Sequence, residues 1–249
     1  MKRLAVLGYP ISHSKSPVIM LAALSELGVD ASFEVVELAE GLSEWIASSA
    51  NNCDCLSVTI PLKPEANAFA ETLDDASRAT GSTNCLIKTS TGYAGFNTDG
   101  FGLKQAVSGL DYRTVSVLGT GATARTALHA FSDTDLRVWG RDTAKAETLA
   151  DRFGALATDL ESAISADLVV STLPIGVLPK LLEKRSGQAL LDIAYMNESN
   201  SDFQVKISGL EMLIWQAIGQ LRHLLNQGEP FSDEQHLHDL MLRAVKMEE

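Results

Sequence analysis

The sequence predicts an α/β protein with two domains, each built on a mostly parallel sheet. Short apolar runs alternate with helical segments along both halves of the 249-residue chain, as in strands joined by right-handed helical crossovers. A glycine-rich turn at 119–121 separates two such series. The length is sufficient for two domains of ordinary size. Together these observations place the domain boundary near residues 100–112.

The first half of the chain contains a series of short apolar, β-branched runs separated by helical stretches. We expect Ser16 to cap the first helix, with Pro17 in its first turn. Residues 91–92 have the composition of a hairpin turn. The predicted strands are 4–7, 32–38, 56–60, 85–88 and 93–96. The predicted helices are 18–27, 42–49, 65–73 and 101–107.

The second half repeats this alternation and then becomes helical. No strand is expected after residue 210, and from the residues alone the two last helices could pack on either domain. The predicted strands are 115–118, 136–139, 168–171 and 189–193. The predicted helices follow the glycine-rich turn and then cover 143–153, 178–184, 210–225 and 233–245.

Composition and charge restrict the partners of this protein. Hydrophobic residues make up 45% and charged residues 21% of the chain, which is typical of a globular protein. The formal net charge of −12 disfavours nucleic acid as a partner. An anionic small molecule would therefore be held by a few local cations and backbone amides.

Neither a membrane nor a metal is expected. No apolar run approaches the roughly 20 residues of a membrane span, and the apolar run at the N-terminus is too short for a signal peptide. The three cysteines, Cys53, Cys55 and Cys85, lack metal-ligand spacing and are odd in number. A reduced, cytoplasmic setting is the simplest interpretation.

The stretch VSVLGTGATAR at 115–125 has the pattern of a buried strand that turns directly into a helix. Gly119 permits the tight turn, Gly121 lets the backbone approach a pyrophosphate, and Ala124 replaces the usual third glycine. Free N–H groups at the helix start would face the anion. By itself, this pattern also fits an ordinary strand–turn–helix unit.

About one strand further on, Gly140, Arg141 and Asp142 stand where a Rossmann-type domain recognises the adenosine ribose. The Arg141 guanidinium can pair with a 2′-phosphate, and Lys145 adds a second cation one turn later. This pattern favours NADP. Asp142 keeps NAD open, since a carboxylate there could accept a hydrogen bond from a ribose hydroxyl, and a solvated Arg–Asp pair is the simpler alternative.

Polar residues follow several strands of the first half, at the edge where open α/β sheets bind ligands. A lysine and an aspartate from separate strand ends could pair and handle a proton at a substrate carbonyl. Taken singly, each residue also fits a cap or turn; Asp99 could cap the helix at 100–107. The set comprises Ser12, His13, Ser14, Lys15, Thr59, Lys63, Asn84, Asn97, Thr98 and Asp99.

In their order along nearly the whole chain, these motifs resemble the shikimate dehydrogenase family. The resemblance depends on the series rather than on one element. Its motifs are GYPISHSKSP near the start, SVTIPLK at 57–63, GSTN at 81–84, FNTDG at 96–100, GTGATAR at 119–125, GRDTAK at 140–145, VVSTLP at 169–174, DIAY at 192–195 and GLEMLIWQA at 209–217.

The resemblance implies specific roles for matching residues. Lys63 matches the catalytic lysine and Asp99 its partner. The matching substrate-binding residues are Ser12, Ser14, Thr59, Asn84, Tyr195 and Gln216. The matching cofactor-binding residues are Gly119, Thr120, Gly121, Ala122, Thr123, Gly140, Arg141, Asp142, Lys145, Ile193, Gly209 and Met212. The departures from the family pattern are Met20, Leu21, Ser57 and Gly140.

The resemblance also implies a domain arrangement and a reaction. A substrate domain would comprise residues 1–100 and 210–249, with the C-terminal helices returning to it, and a Rossmann-type NADP-binding domain would comprise 101–209. The expected reaction is the NADPH-dependent reduction of 3-dehydroshikimate to shikimate in aromatic amino acid biosynthesis. Alternatives are a quinate/shikimate dehydrogenase that uses NAD and an inactive ligand-sensing paralogue. A homodimer is left open.

Overall fold

The computed structural model describes residues 1–48, 52–182, 186–194 and 202–247. The chain forms two compact units. The first unit contains Met1–Asp99 and Ile214–Glu249, and the second contains Gly100–Leu213.

The first unit contains a mixed sheet flanked by helices. Its strands lie in the order β2-β1-β3-β5-β6-β4, and all neighbours are parallel except β3/β5 and the β5/β6 hairpin. In its N-terminal segment the elements are β1 (Lys2–Gly8), α1 (Ser16–Glu26), β2 (Ala31–Glu37), α2 (Leu42–Ala47), β3 (Cys55–Val58), α3 (Lys63–Phe69), β4 (Thr72–Leu73), α4 (Asp75–Thr80), β5 (Cys85–Lys88) and β6 (Tyr93–Phe96).

The second unit contains an all-parallel sheet in the order β12-β11-β10-β7-β8-β9. Its elements are α5 (Asp99–Ala106), β7 (Thr114–Leu118), α6 (Ala122–Ala130), β8 (Asp135–Trp139), α7 (Thr143–Phe153), β9 (Leu156–Ala157), α8 (Leu160–Ile164), β10 (Leu168–Ser171), α9 (Leu178–Leu181), β11 (Ser186–Asp192) and β12 (Asp202–Ser208). The chain then continues through α10 (Gly209–Leu225) and α11 (Glu234–Lys246).

Each sheet has continuous apolar strands at its centre because both faces are covered. In the first unit, Ala5, Leu7 and Leu56 belong to one buried cluster. In the second, Val115 and Val117 of β7 pack with the apolar face of α6, which includes Leu128. These buried strands hold their polar carboxyl-terminal ends in place.

The last helix packs on the first unit. Helix α11 lies against α1, and His236 Nε2 lies 2.7 Å from Glu26 Oε1. Asp233 caps α11 by accepting a hydrogen bond from the His236 N–H. From the sequence pattern alone, the last two helices could pack on either domain. The observed position of α11 agrees with the return to the first domain that the family resemblance implied.

An aspartate joins two parallel strands at the amino-terminal edge of each sheet. Asp54 directly precedes β3, and its Oδ2 accepts the Arg3 N–H of β1 at 2.8 Å. Asp167 directly precedes β10, and its Oδ2 accepts the N–H groups of Arg113 and Thr114 at 3.0 and 2.8 Å. These hydrogen bonds, led by that from Thr114, lower the pKa of Asp167. Both aspartates therefore hold strand starts together at the edge opposite to the polar residues that follow the strands.

Several short elements differ from the sequence predictions. The helix expected over 65–73 ends at Phe69, and Thr72–Leu73 pairs with β6 instead. Short elements such as α4 and α8 escaped prediction because one or two turns carry almost no helical periodicity. Ser16 is not a cap: it lies inside α1, while Ser14 Oγ accepts its N–H at 3.3 Å. Pro17 does lie in the first turn.

Among the described residues, no helix is long and apolar enough to cross a bilayer. Across the same ranges, no group of three or more His, Cys, Asp or Glu residues is arranged to hold a metal ion. Cys53, Cys55 and Cys85 are buried free thiols.

Candidate active site

A buried ion pair lies beyond the carboxyl-terminal ends of β3 and β6. Lys63 begins α3 and Asp99 begins α5, so each comes from the turn that follows a strand. Lys63 Nζ and Asp99 Oδ2 are 2.5 Å apart, and the residues are only 8% and 4% exposed. A buried pair of this kind needs further hydrogen bonds to be tolerated. The Lys–Asp pair that the strand ends predicted is therefore formed.

Asn84 supplies such a hydrogen bond to the second carboxylate oxygen. Its Nδ2 donates to Asp99 Oδ1 at 2.8 Å, while its Oδ1 accepts the Thr98 N–H at 2.8 Å. Because a backbone N–H can only donate, the second contact fixes which end of the Asn84 amide faces Asp99. Asp99 is thus held at both oxygens by side chains from two other strand ends, rather than serving as a helix cap.

The hydrogen bonds continue from Asn84 onto α10. Asn84 Nδ2 lies 3.1 Å from Gln216 Oε1, which also accepts from Gln220 Nε2 at 2.7 Å. Gln220 Oε1 in turn accepts the Ser57 hydroxyl at 2.6 Å. The motifs of the sequence predict Asn84 and Gln216 as site residues, but they give no role to Ser57 and do not include Gln220. The available signal was the spacing of Gln216 and Gln220 by four residues on an apolar helix, which puts both on one face.

The other predicted substrate-binding residues stand apart from this network. Ser12 is exposed and Ser14 half-buried in the loop before α1, and Thr59 is half-buried directly after β3. Within the described part of the chain, no hydrogen bond joins these three side chains to Lys63 or Asp99. Thr59 packs so closely on Gly8 that a Cβ at Gly8 would lie 2.3 Å from the Thr59 methyl. Tyr195 lies outside the described residues.

The glycine-rich turn has the geometry that a pyrophosphate requires. Gly119 has a φ of +122°, and a Cβ there would lie 2.3 Å from Thr172 Oγ1, so only glycine fits. Gly121 is the N-cap of α6 and has open space where a Cβ would project. No side chain caps α6, so the first N–H groups of the helix can bind an anion. The donor set fits an anionic group brought close to the backbone.

The loop after β8 presents cations beside this turn. The Arg141 side chain is exposed, and Gly140 lies against Thr120, since a Cβ at 140 would be 2.6 Å from the Thr120 methyl. Asp142 caps α7: its Oδ1 accepts the Lys145 N–H at 3.1 Å, and its Oδ2 lies 3.3 Å from Lys145 Nζ. These contacts, the backbone hydrogen bond first, lower the pKa of Asp142. Both carboxylate oxygens of Asp142 are therefore engaged within the loop.

Three further predicted cofactor residues meet at the end of β11. A Cβ at Gly209 would lie 2.3 Å from the Ile193 carbonyl oxygen, so α10 begins in direct contact with the end of that strand. Met212, one turn later, is buried in the same cluster of the second unit against which Ile193 packs. The structure thus brings Ile193, Gly209 and Met212 together at one edge of the sheet.

Comparison with known proteins agrees with this geometry. Residues 6–86 match the family model described as "Shikimate dehydrogenase substrate binding domain". A Brucella abortus protein named shikimate dehydrogenase (NADP(+)) is 34% identical, and the match covers 86% of this chain and 85% of the relative. The protein of that name from Thermus thermophilus is 30% identical, over 87% of this chain and 89% of its own.

Solved structures share the whole architecture. The Thermus thermophilus shikimate 5-dehydrogenase in complex with NADP(H) and shikimate superposes with a TM-score of 0.84, at 28% identity, over 98% of this chain and all of the other. The Mycobacterium tuberculosis shikimate dehydrogenase superposes with a TM-score of 0.85, at 30% identity, over the full length of both chains. Identity above 30% across most of both sequences, together with a shared two-unit α/β fold, shows that this chain belongs to the shikimate dehydrogenase family.

Proposed function

We propose that this protein catalyses the reversible, NADPH-dependent reduction of 3-dehydroshikimate to shikimate, a step of aromatic amino acid biosynthesis. The observation that carries the proposal is the buried Lys63–Asp99 pair, with Asn84 on the second carboxylate oxygen. Lys63 and Asn84 lie within residues 6–86, which match the substrate-binding domain of the family. The NADP-dependent relatives that span most of this chain support the same reaction.

The Lys63–Asp99 pair can handle the proton that accompanies hydride transfer. NADPH, when bound, supplies the hydride for the carbonyl carbon. In that direction Lys63 Nζ donates a proton to the carbonyl oxygen, and in the reverse direction it accepts the proton from the hydroxyl. Asp99 Oδ2 keeps Nζ in place, while Asp99 Oδ1 is held by Asn84. Proton transfer by a positioned group of this kind contributes about 10²–10⁴-fold to a rate.

Hydroxyl and amide groups suit the rest of a small polyhydroxy acid. We assign Ser12 and Ser14 to the substrate carboxylate, following the family pattern. Thr59, Asn84, Tyr195 and Gln216 are assigned to other groups of the substrate. Binding of the substrate by neutral hydrogen-bond donors is consistent with the net charge of −12 of this chain.

The second unit is assigned to NADP and the first to the substrate. The amides at Gly119, Thr120, Gly121, Ala122 and Thr123 would hold the pyrophosphate. Arg141 and Lys145 would pair with the 2′-phosphate. The loop carries two cations, Arg141 and Lys145, against the single carboxylate of Asp142, which favours NADP over NAD. Ile193, Gly209 and Met212 are assigned to the nicotinamide end.

The setting and assembly of the protein complete the proposal. Three buried free thiols fit a reducing compartment, and we assign the cytoplasm. A homodimer stays a prediction, which light scattering of the purified protein would test directly.

Initial rates of oxidation of shikimate and of quinate, each with NADP and with NAD, test the proposed function. Turnover limited to shikimate and NADP is the expected result. Turnover with quinate or NAD would instead indicate a quinate/shikimate dehydrogenase with a role for Asp142 at the ribose. No turnover with any pair would contradict the proposal and favour a ligand-sensing paralogue.

A further inference from the structure

A continuous chain of hydrogen bonds leads from the Lys63–Asp99 pair through Asn84 and Gln216 to Gln220 and Ser57. Its last two members form their side-chain hydrogen bonds with each other and with Gln216, not with Lys63 or Asp99. We propose that Gln220 and Ser57 are positioning residues for the reaction: they set the orientation of the Gln216 amide beside the Lys63–Asp99 pair. The inference rests on the proposed function and names residues that it does not use.

The direction of every hydrogen bond in this chain follows from one backbone group. The Thr98 N–H must donate, so Asn84 Oδ1 accepts it, and Asn84 Nδ2 is the end that faces Gln216. The Gln216 atom opposite Nδ2 must accept, which assigns it as Oε1. Its second lone pair is then filled by Gln220 Nε2.

Gln220 is fixed in the same way at its other end. With Nε2 donating to Gln216, Oε1 faces Ser57, and the Ser57 hydroxyl donates to it at 2.6 Å. The acceptor Gln216 Oε1 thus determines which way round the Gln220 amide sits, and the Ser57 hydroxyl holds its other end. A reversed Gln220 amide would place its oxygen against Gln216 Oε1, two acceptors without a hydrogen between them. The NH₂ end of Gln216 is thereby kept as the donor end, the one that suits a substrate hydroxyl.

Burial makes this orientation energetically important. Gln220 is 2% exposed, Ser57 6% and Gln216 7%. Water cannot replace a lost partner at such sites, so an amide without its hydrogen bonds rotates or pulls its neighbour out of position. Loss of the Gln220 amide should therefore displace Gln216 rather than leave it in place.

Gln220→Met tests the inference, because methionine has a similar unbranched shape without the amide. We expect Gln220→Met to lower kcat/KM for shikimate by about 10- to 100-fold. This range lies between the effect of one lost hydrogen bond and the effect of misplaced reacting groups. The KM for NADP should stay at the wild-type value. Gln235→Met is the matched control: its amide bonds Asp239 on the exposed face of α11, and both constants should be unchanged.

A second pair of variants isolates the hydroxyl of Ser57. Threonine and valine have the same shape, so Ser57→Thr and Ser57→Val differ only in the group that donates to Gln220. We expect Ser57→Thr to have several-fold higher kcat/KM for shikimate than Ser57→Val, with equal KM for NADP. Thermal unfolding of all variants separates this effect from loss of the fold.

Wild-type kinetics distinguish the two levels of failure. A wild-type protein with no turnover of shikimate would refute the proposed function and the inference with it. If the wild type is active, Gln220→Met at wild-type kcat/KM would overturn the inference alone. The inference would also be overturned if Gln220→Met weakened kcat/KM for shikimate and the KM for NADP by equal factors and lowered the Tm in parallel. Gln220 would then only support the fold. If Gln220→Met does not fold, equal rates for the two Ser57 variants are the contradicting result.

Discussion

The two units hold their polar groups in opposite ways. In the first unit, the residues at the strand ends are buried and bonded to one another: Lys63 to Asp99, Asp99 to Asn84, and Asn84 to Gln216. In the second unit, the corresponding edge presents backbone N–H groups at the start of α6 and the exposed side chain of Arg141. The edge in the first unit is therefore organised before a ligand binds. The edge in the second unit offers hydrogen-bond donors and positive charge to an anion.

This difference has a chemical reason. Proton transfer needs a lysine held within a fraction of an ångström, which only a packed and fully bonded network provides. A dinucleotide is recognised largely through its phosphates, for which helix amides and an extended guanidinium suffice. Substitutions in the first unit should therefore act on kcat and on the substrate, and those in the second unit on the affinity for the dinucleotide.

The largest expected effect is that of Lys63→Ala. Removal of the proton-transfer group should lower kcat by about 10²–10⁴-fold, while NADP binding stays intact because the dinucleotide is assigned to the other unit. Stopped-flow or steady-state rates, with NADP affinity from fluorescence titration, measure both quantities. An unchanged kcat would remove Lys63 from the mechanism.

Arg141→Ala should follow in size. Loss of a charged hydrogen-bonding partner of the 2′-phosphate is expected to raise the KM for NADP by about 10- to 100-fold and leave that for NAD unchanged. Arg113→Ala is a matched control, since Arg113 is an exposed arginine on the opposite edge of the same sheet and pairs with Asp135. If Arg141→Ala weakened NADP and NAD equally, the assignment of the 2′-phosphate to Arg141 would be wrong.

The two glycines of the turn should behave differently from each other. Gly121→Ala adds a methyl group in open space and should leave the fold stable, but raise the KM for NADP by about tenfold as the backbone loses its close approach. Gly119→Ala should instead reduce the free energy of unfolding by about 1–3 kcal/mol, because of its positive φ and the contact with Thr172. Chemical denaturation and NADP titration of both variants check the contrast. Equal losses of stability would contradict it.

The smallest expected effect concerns the acid side of the stability profile. The ring of His223 stacks on the ring of Phe96, with 3.8 Å between the two ring centroids. Burial lowers the pKa of His223 below the ordinary 6.5, and nearby Arg222 lowers it further, while Asp74 opposes the shift. As pH falls below 6.5 the unfolded chain takes up a proton that the folded chain resists, so folding stability decreases. His223→Phe keeps a stacked ring that cannot titrate. Tm measured against pH should therefore fall less steeply for this variant than for the wild type; parallel curves would exclude His223 as a contributor.

The fold and the cofactor side were accessible from the sequence because their signals are local. The glycine pattern at 119–121 and the apolar strand before it occupy a few consecutive residues, and helix α7 was predicted at its observed bounds. Strand β12 was missed although Phe203, Val205 and Ile207 alternate with polar residues, the local pattern of a half-buried strand. Its parallel pairing with β11 is the part that no local pattern encodes.

The candidate active site was only partly accessible for the same reason. Lys63 and Asp99 could be paired in advance because both follow strands whose ends meet at one edge. Gln220 could not be linked to Ser57, since 163 residues separate them and the contact depends on how α10 packs. Ser57 stood out as a departure from the family pattern, but only the structure shows which side chain its hydroxyl reaches.

The aspartates at the amino-terminal edges of the two sheets bear on how the protein could be re-engineered. Asp54 and Asp167 each tie the start of one strand to the start of its neighbour, and each does so at the end opposite to the ligand-facing residues. Selection for a new substrate or cofactor could thus vary the loops after the strands while these two clamps, left untouched, keep strand register. Libraries that vary the loops after the strands and hold both aspartates constant should retain more folded members than libraries randomised at the same depth at the amino-terminal edges.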